Sequence, residues 1–400
     1  MTPTKAILSV TLTVLAFLAV IAAINTDNPT ANPKWGPLNA RGLTFPLLRV
    51  GSTLVYDPTS NRTILFAGRS ADEALGNQHQ NDVWILTNAN GLEGKSEWSN
   101  LSPQGGPPSA RFDHSAVYDS VNNRMIIYGG CRGGCLPIAD DVWVLDHANG
   151  LGGTPTWIRL LPTGHPDVRQ GHQAVYDPNT NSMIIWAGQN GGNQACSSGT
   201  YSDVWVLSHA NGIGGTPNWT RLSPTGGPPA GRYFSTAVYD SSNNILIVFG
   251  GIGGIEPNCQ STNAVWALSH ANGTGGTPVW RNLVAQDADG SPANREHHAA
   301  VYQPRTNTMT IFGGDNRDGA FFGDTWVLSN ANGIGRDQRV WTQLTDATGP
   351  VPSARWNGGV IDTLHDRMIL FGGSGDGQTD ISAPLWTTWI LSSPIEPPPR

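Results

Sequence analysis

The stretch RQGHQAVYDPNTNSMIIWAG, Arg169 to Gly188, decides the fold. Its first apolar segment ends in Val175-Tyr176-Asp177. Asp177-Pro178-Asn179-Thr180-Asn181 then has the residue types of a hairpin turn. Met183–Trp186 is a continuous apolar run stopped by Ala187-Gly188. A short apolar run bounded by turn residues fits a strand buried on both faces better than an amphipathic helix. Further on, Trp205 centres a third apolar segment, and Trp219 opens a fourth after a Gly-rich turn.

The same unit recurs six times. The arginines that open it are Arg49, Arg111, Arg169, Arg232, Arg295 and Arg355, separated by 62, 58, 63, 63 and 60 residues. From Arg to the Gly that ends the second segment is 19 residues in five units (Gly68, Gly130, Gly188, Gly251, Gly314) and 18 in the sixth (Gly373). Third segments centre on Trp84, Trp143, Trp205, Trp266, Trp326 and Trp389, and fourth segments begin at Trp98, Trp157, Trp219, Trp280 and Trp341. Repeats of this size cannot bury their apolar faces alone and must stack. Four antiparallel strands repeated radially make an all-β, six-bladed β-propeller. The sixth unit lacks a fourth strand at its C-terminal end. Trp35-Gly36-Pro37-Leu38 supplies it: Trp35 precedes Arg49 by 14 residues, as Trp98 precedes Arg111 by 13. The last blade is thus expected to be closed by the N-terminal strand.

Composition agrees. Of 400 residues, 49 are Gly and 29 Pro, which excludes a helical bundle. Only 13% are charged, but 15 Trp, 8 Tyr and 10 Phe can build a core, so disorder is excluded too. A net charge of −7 gives no basic patch for nucleic acid. Residues 1–24 have a short start with one positive side chain, Lys5, and run apolar over Ala6–Ile24, the order of a secretory signal peptide or an uncleaved signal anchor. The expected organisation is leader 1–24, linker 25–34, propeller 35–393 and Pro-rich tail 394–400. A secreted or periplasmic monomer is expected, touching a membrane only through residues 6–24. In that oxidising setting Cys131, Cys135, Cys196 and Cys259 are expected to pair as Cys131–Cys135 and Cys196–Cys259, since the latter two sit eight residues past equivalent glycines.

The unit resembles the kelch repeat. The resemblance rests on the doublets Gly129-Gly130, Gly250-Gly251, Gly313-Gly314 and Gly372-Gly373, on the later Trp, and on Arg-x-x-His at Arg111/His114, Arg169/His172 and Arg295/His298. Ala67-Gly68 and Ala187-Gly188 depart at the first Gly. The spacer Ala-Asn-Gly-x-Gly-Gly-Thr-Pro of Ala148–Pro155, Ala210–Pro217 and Ala271–Pro278 resembles that of bacterial secreted kelch proteins. The resemblance implies a propeller, but a fold does not give a function.

One face of such a disc is monotonous, because the Ala-Asn-Gly spacers recur there. The other varies: from strand-ending Gly to third-strand Trp the counts are 16, 13, 17, 15, 12 and 16. Variable loops on a rigid scaffold carry function. The ligand-binding candidates on that face are Arg111, Asp113, His114, Arg169, His172, Arg232, Tyr233, Arg295, Glu296, His297, Arg355 and Trp356. The arginines read either as a cationic funnel for a carboxylate or phosphate or, as their presence in every blade favours, as bonds to neighbouring backbone carbonyls that tie adjacent blades. The Arg-x-x-His histidines read as buried, hydrogen-bonded groups rather than metal ligands. Glu296 and His297, then Asp113, are the first places to look for acid–base chemistry. Asp315-Asn316-Arg317-Asp318-Gly319 and Asp287-Ala288-Asp289-Gly290 hint at calcium but lack its full ligand ladder. No catalytic residue, metal or cofactor is assigned.

The expected function is non-catalytic recognition of an extracellular protein or glycan, with Trp356, Trp386, Phe112, Tyr233, Phe321 and Phe322 as aromatic anchors. The alternative is an exported kelch-type enzyme. A sialic-acid-mutarotase-like enzyme would use a channel Arg with a carboxylate or His. A galactose-oxidase-like copper enzyme would need a Tyr joined to a Cys, a second Tyr and two His.

Overall fold

The computed structural model describes residues 33–40, 44–70, 78–135, 137–191, 199–253, 259–335, 338–345, 351–352, 355–375 and 387–392, with the backbone alone at 134, 355–357 and 374–375. The N-terminal leader, Cys196, Trp386 and the Pro-rich tail, on which expectations were placed, lie outside them. Among the described residues, no helix is long and apolar enough to cross a membrane.

Six antiparallel sheets dominate the described residues: four have four strands in sequential order, one carries a fifth short strand at Arg49–Val50, and one is completed by a strand from the N-terminal end. In the third, Gln173–Asp177, Ser182–Trp186, Val204–Ser208 and Asn218–Arg221 lie side by side. Val175 faces Ile184, and Ile185 faces Trp205. Every residue of Ser182–Trp186 is buried, as are those of Ile245–Phe249 and Thr308–Phe312. The first contains the run read above as covered on both faces, and the other two are its counterparts in later blades. First strands such as Ser115–Asp119 alternate between buried and half-buried, because one side faces the central channel. Each first strand packs on the first strands of both neighbouring sheets, and Arg355–Asp362 packs on Thr53–Asp57, so the ring closes.

Closure takes the expected form. Lys34–Leu38 pairs antiparallel with Thr388–Ser392, with Trp35 opposite Leu391 and Pro37 opposite Trp389. Pro37 is tolerated because this is an edge strand, where one side of the backbone needs no partner.

Two repeated contacts join the blades. The first is aromatic. Each fourth-strand Trp packs on the aromatic that ends the second strand of the preceding blade: Trp98 on Phe371, Trp157 on Phe66, Trp219 on Tyr128, Trp280 on Trp186, Trp341 on Phe249 and Trp35 on Phe312, at 4.8–5.9 Å between ring centres. The second is polar and explains the Ala-Asn-Gly spacer. Its Asn donates to the Asp of Val-Tyr-Asp one blade back: Asn149 to Asp57, Asn211 to Asp119, Asn272 to Asp177 and Asn332 to Asp240, each at 2.7 Å. Asn90 to Asp362, also 2.7 Å, bridges the first and last blades. In the fifth blade Gln303 holds the Asp position and donates instead to the carbonyl of Thr363.

Gly130 shows why the second Gly of the doublet recurs. Its φ is +92°, and a Cβ there would lie 2.6 Å from His114 Cβ. The backbone passes too close, in a conformation too costly, for a side chain.

Candidate functional site

The residue two places after each opening Arg forms the throat of the channel. Gly51, Asp113, Gly171, Phe234 and His297 all have φ between +53° and +64°. They form a chain of hydrogen bonds from blade to blade. Asp113 N–H donates to Gly51 O (2.9 Å), Gly171 to Asp113 (3.0 Å), Phe234 to Gly171 (2.9 Å) and His297 to Phe234 (3.0 Å). Left-handed backbone at Asp, Phe and His is uncommon, and it clusters where a structure over-determines a site. Glycine at 51 leaves room for its neighbour: a Cβ there would sit 2.5 Å from Asp113 Oδ1.

One residue further on, the Arg-x-x-His histidines join blades inside the channel wall. Nε2 of His114 lies 2.8 Å from Thr53 Oγ1, that of His172 2.8 Å from Ser115 Oγ, and that of His298 2.6 Å from Thr236 Oγ1. All three are buried. Burial, reinforced by the neighbouring arginine, holds His172 down at about 3 and His114 and His298 well below the usual imidazole range.

The arginines lie deeper. Arg49, Arg111, Arg169 and Arg295 are buried, and each makes a two-pronged bond to an Asp two residues before the third-strand Trp: Asp82, Asp141, Asp203 and Asp324. The same guanidinium groups donate to the carbonyls of Ala67, Gly129, Ala187 and Gly313. They form no funnel of free guanidinium groups, and the expected tie between adjacent blades is not made by their side chains either: each bonds within its own blade, because the Asp and the carbonyl that it reaches belong to the same sheet. Tyr201 lies over Arg169 and Phe322 over Arg295, both at 4.4 Å, which covers them further. Arg232 differs. It bonds the carbonyls of Ala230 and Gly250, but Ala264 stands where its Asp would be. Burial pulls it down to about 10. Arg355 and Trp356 pair through their backbones with Gly375 and Ser374. Tyr233 is buried against Phe234, Ile252 and Cys259.

Above the throat is a cavity of about 680 Å³ lined from all six blades. Its polar wall contains Asp113, Gln170, Glu296, His297, Asp315 and Arg317, beside Phe112 and Phe234. Glu296 is almost fully buried, and Ser261 donates to its Oε2. Ser261 Oγ in turn accepts from the Arg317 N–H at 3.1 Å. Glu296 and Asp315 exchange backbone hydrogen bonds at 2.9 and 3.1 Å. His297 Nδ1 lies 3.0 Å from Asp315 Oδ1, and its ring packs on Phe234 at 4.0 Å. Burial, with Asp315 adding to it, pushes Glu296 up to about 7 against the pull of Ser261, His297 and Arg317. Removal from water pushes Asp113 up to about 6 against His297 and Arg69.

The structure thus gathers Asp113, Glu296 and His297 at one cavity and places Arg111, Arg169 and Arg295 in the scaffold. Sequence reasoning missed Ser261 and the role of Asp315, which come from two different loops. It also missed the Asp partners of the arginines, although Asp-x-Trp recurs in four blades. Cys131 and Cys135 form the expected disulfide. Cys259 is disulfide-bonded as well, while its expected partner Cys196 lies outside the described residues. Cysteines held in disulfides cannot supply the Tyr–Cys pair of the copper reading, so the residues described do not fit that group.

Fold and channel together define a kelch-repeat β-propeller. A family model described as the KLHDC2/KLHL20/DRC7 Kelch-repeats domain matches residues 25–166 and 153–373, and the chain belongs to the kelch-repeat family. The chain is 26% identical over 303 residues to the leucine-zipper-like transcriptional regulator 1 homolog of Drosophila melanogaster, covering 72% of this chain and 27% of that protein. To the serine/threonine-protein phosphatase BSL2 of Arabidopsis thaliana it is 30% identical over 210 residues, covering 52% and 18%. It therefore spans only about a quarter of these relatives or less. Two solved structures share the fold. The structure of YjhT has a TM-score of 0.56 at 13% identity, covering 88% of this chain and 95% of its own. A fungal alcohol oxidase in complex with copper has a TM-score of 0.54 at 15% identity, covering 90% and 76%.

Proposed function

We propose that this chain is an exported recognition propeller that seats a saccharide, free or displayed on a larger partner, at its channel mouth. The observation that carries this is the cavity of about 680 Å³ on the variable face, where carboxyl, imidazole and amide groups converge beside two phenyl rings. A sugar offers hydroxyls to the first set and C–H faces to the second. Asp113 and His297 project from a chain of backbone hydrogen bonds that runs across five blades, which lowers the ordering needed on binding. The opposite face repeats one spacer five times. Export is supported by the leader-like residues 1–24 and by the disulfides.

The test is an array of mono- and oligosaccharides probed with the purified chain, followed by calorimetry on the best binder. Replacing Asp113 with Asn should weaken binding by roughly 10- to 100-fold, the worth of a hydrogen bond to a charged group. Replacing the exposed Leu151 on the opposite face with Ala should change nothing. Equal binding by wild type and Asp113→Asn, or loss in Leu151→Ala, would overturn the reading.

A further inference from the structure

We infer that Glu296, His297 and Asp315 form a binding site for a divalent transition-metal ion of zinc-like chemistry. One ligand atom from each lies within 4.8 Å of the other two. An ion bonded at about 2.0–2.2 Å draws such donors to roughly 3–3.5 Å apart, a contraction that side-chain rotation supplies. One imidazole nitrogen and two carboxylate oxygens suit zinc and its first-row neighbours, whereas calcium and magnesium favour all-oxygen shells.

The local backbone explains how neighbouring residues serve one point. Along a strand, consecutive side chains alternate between faces. The left-handed conformation of His297, φ +54°, breaks that alternation directly after Glu296. Asp315 comes from the next loop and is locked opposite Glu296 by two backbone hydrogen bonds. His297 Nδ1 and Asp315 Oδ1, 3.0 Å apart, share a proton that an ion replaces.

Charge gives a second, independent argument. Glu296 is 3% exposed, and its side chain accepts from a neutral hydroxyl, that of Ser261. A bonded cation offsets the hydration that a carboxylate loses on burial and favours its charged form over the protonated one. Arg317, whose charge also acts on Glu296, is solvent-exposed, and no ion pair between the two lies within 4 Å among the described residues. The adjoining cavity leaves the remaining coordination positions open to water or to a ligand hydroxyl.

The experiment uses the full chain stripped with a chelator and titrated with zinc chloride by calorimetry, with calcium and magnesium chloride as comparators. One zinc ion per chain is expected, with weaker or no response to calcium and magnesium. Cobalt loading should give visible absorption bands from nitrogen and oxygen ligation. His297→Gln and Asp315→Asn should each weaken zinc binding at least about tenfold, since even an outer-shell partner is worth that much. Melting temperatures identify a variant that fails to fold, in which case the other variant decides. Absence of saturable binding by the folded wild type, or equal binding by the wild type and a folded variant, overturns the proposal. Repeating the saccharide titration in excess chelator separates it from the recognition reading, because sugar binding without metal leaves that reading standing by itself.

Discussion

Arg232 shows how much one position decides. In four other blades the opening arginine meets an Asp two residues before the third-strand Trp, and that Asp also accepts from the Trp indole, as Trp143 donates to Asp141 at 2.9 Å. In the fourth blade Ala264 removes both bonds and leaves a buried guanidinium bonded to two carbonyls and lying over the Trp186 ring at 5.9 Å. Ala264→Asp should restore the pair. Charge-assisted hydrogen bonds contribute about 1.5–3 kcal/mol before the cost of burying the carboxylate, so a net gain of about 1 kcal/mol is expected. A higher denaturation midpoint checks it; a lower one would mean that the pocket has closed around the Ala. At this scale the sequence was only partly legible. Glu296, His297 and Asp113 stood out as polar residues beside an invariant-looking Arg, and they share one cavity. Asp315 passed for a turn residue and no metal was assigned. Its partner Glu296 lies 19 positions earlier, and no spacing rule for a short motif spans that interval.

The strand that completes the ring is the element on which most depends. Lys34–Leu38 has five residues, and its central contribution is Trp35, 1% exposed, packed on Phe312 and donating to Thr325 Oγ1 at 3.1 Å. Trp35→Ala removes a packed ring, leaves a cavity at the joint between fifth and sixth blades, and strands the Thr hydroxyl. A loss of about 3–5 kcal/mol is expected, read as a drop in the urea midpoint. Lys34→Ala, on the exposed side of the same strand, should have little effect. If the two variants behaved alike, the N-terminal strand would not be what closes the ring. Counting tryptophans was enough to find this element, because an unmatched third strand in a closed architecture demands a partner. Counting did not show that each fourth-strand Trp reaches back to the preceding blade. That contact joins residues of different repeats and is invisible within any one of them.

For the whole molecule, the blade-joining histidines make stability depend on pH. Unfolded, a histidine titrates near 6.5; folded, His172 does so at about 3, mainly through burial. The unfolded chain therefore binds the extra proton between those values. The contribution of His172 is present above about pH 6.5 and is lost as the pH falls, by roughly 2 kcal/mol at pH 5. Glu296 and Asp113 act in the opposite sense: their folded values are raised, so the folded state holds more protons and gains relative stability on acidification. A difference measurement separates the two. His172→Gln should lose less stability than the wild type between pH 7 and pH 5, by about that amount, in melting curves at each pH. Identical slopes would show that His172 is not buried neutral in solution.

By itself the sequence determined the blade count, the four-strand unit and the route of closure, because those follow from periodicity and from the number of apolar strands that must be covered. The tertiary structure alone decided which repeated residues are scaffold and which face the channel. Arg169 and His172 lie three residues apart in the same motif, yet one is bonded to Asp203 and the other to Ser115 of the adjacent blade. Repetition records what every blade needs. A site at the axis is assembled from what the blades do not share, and only closing the ring brings Asp113, Glu296, His297 and Asp315 to one cavity.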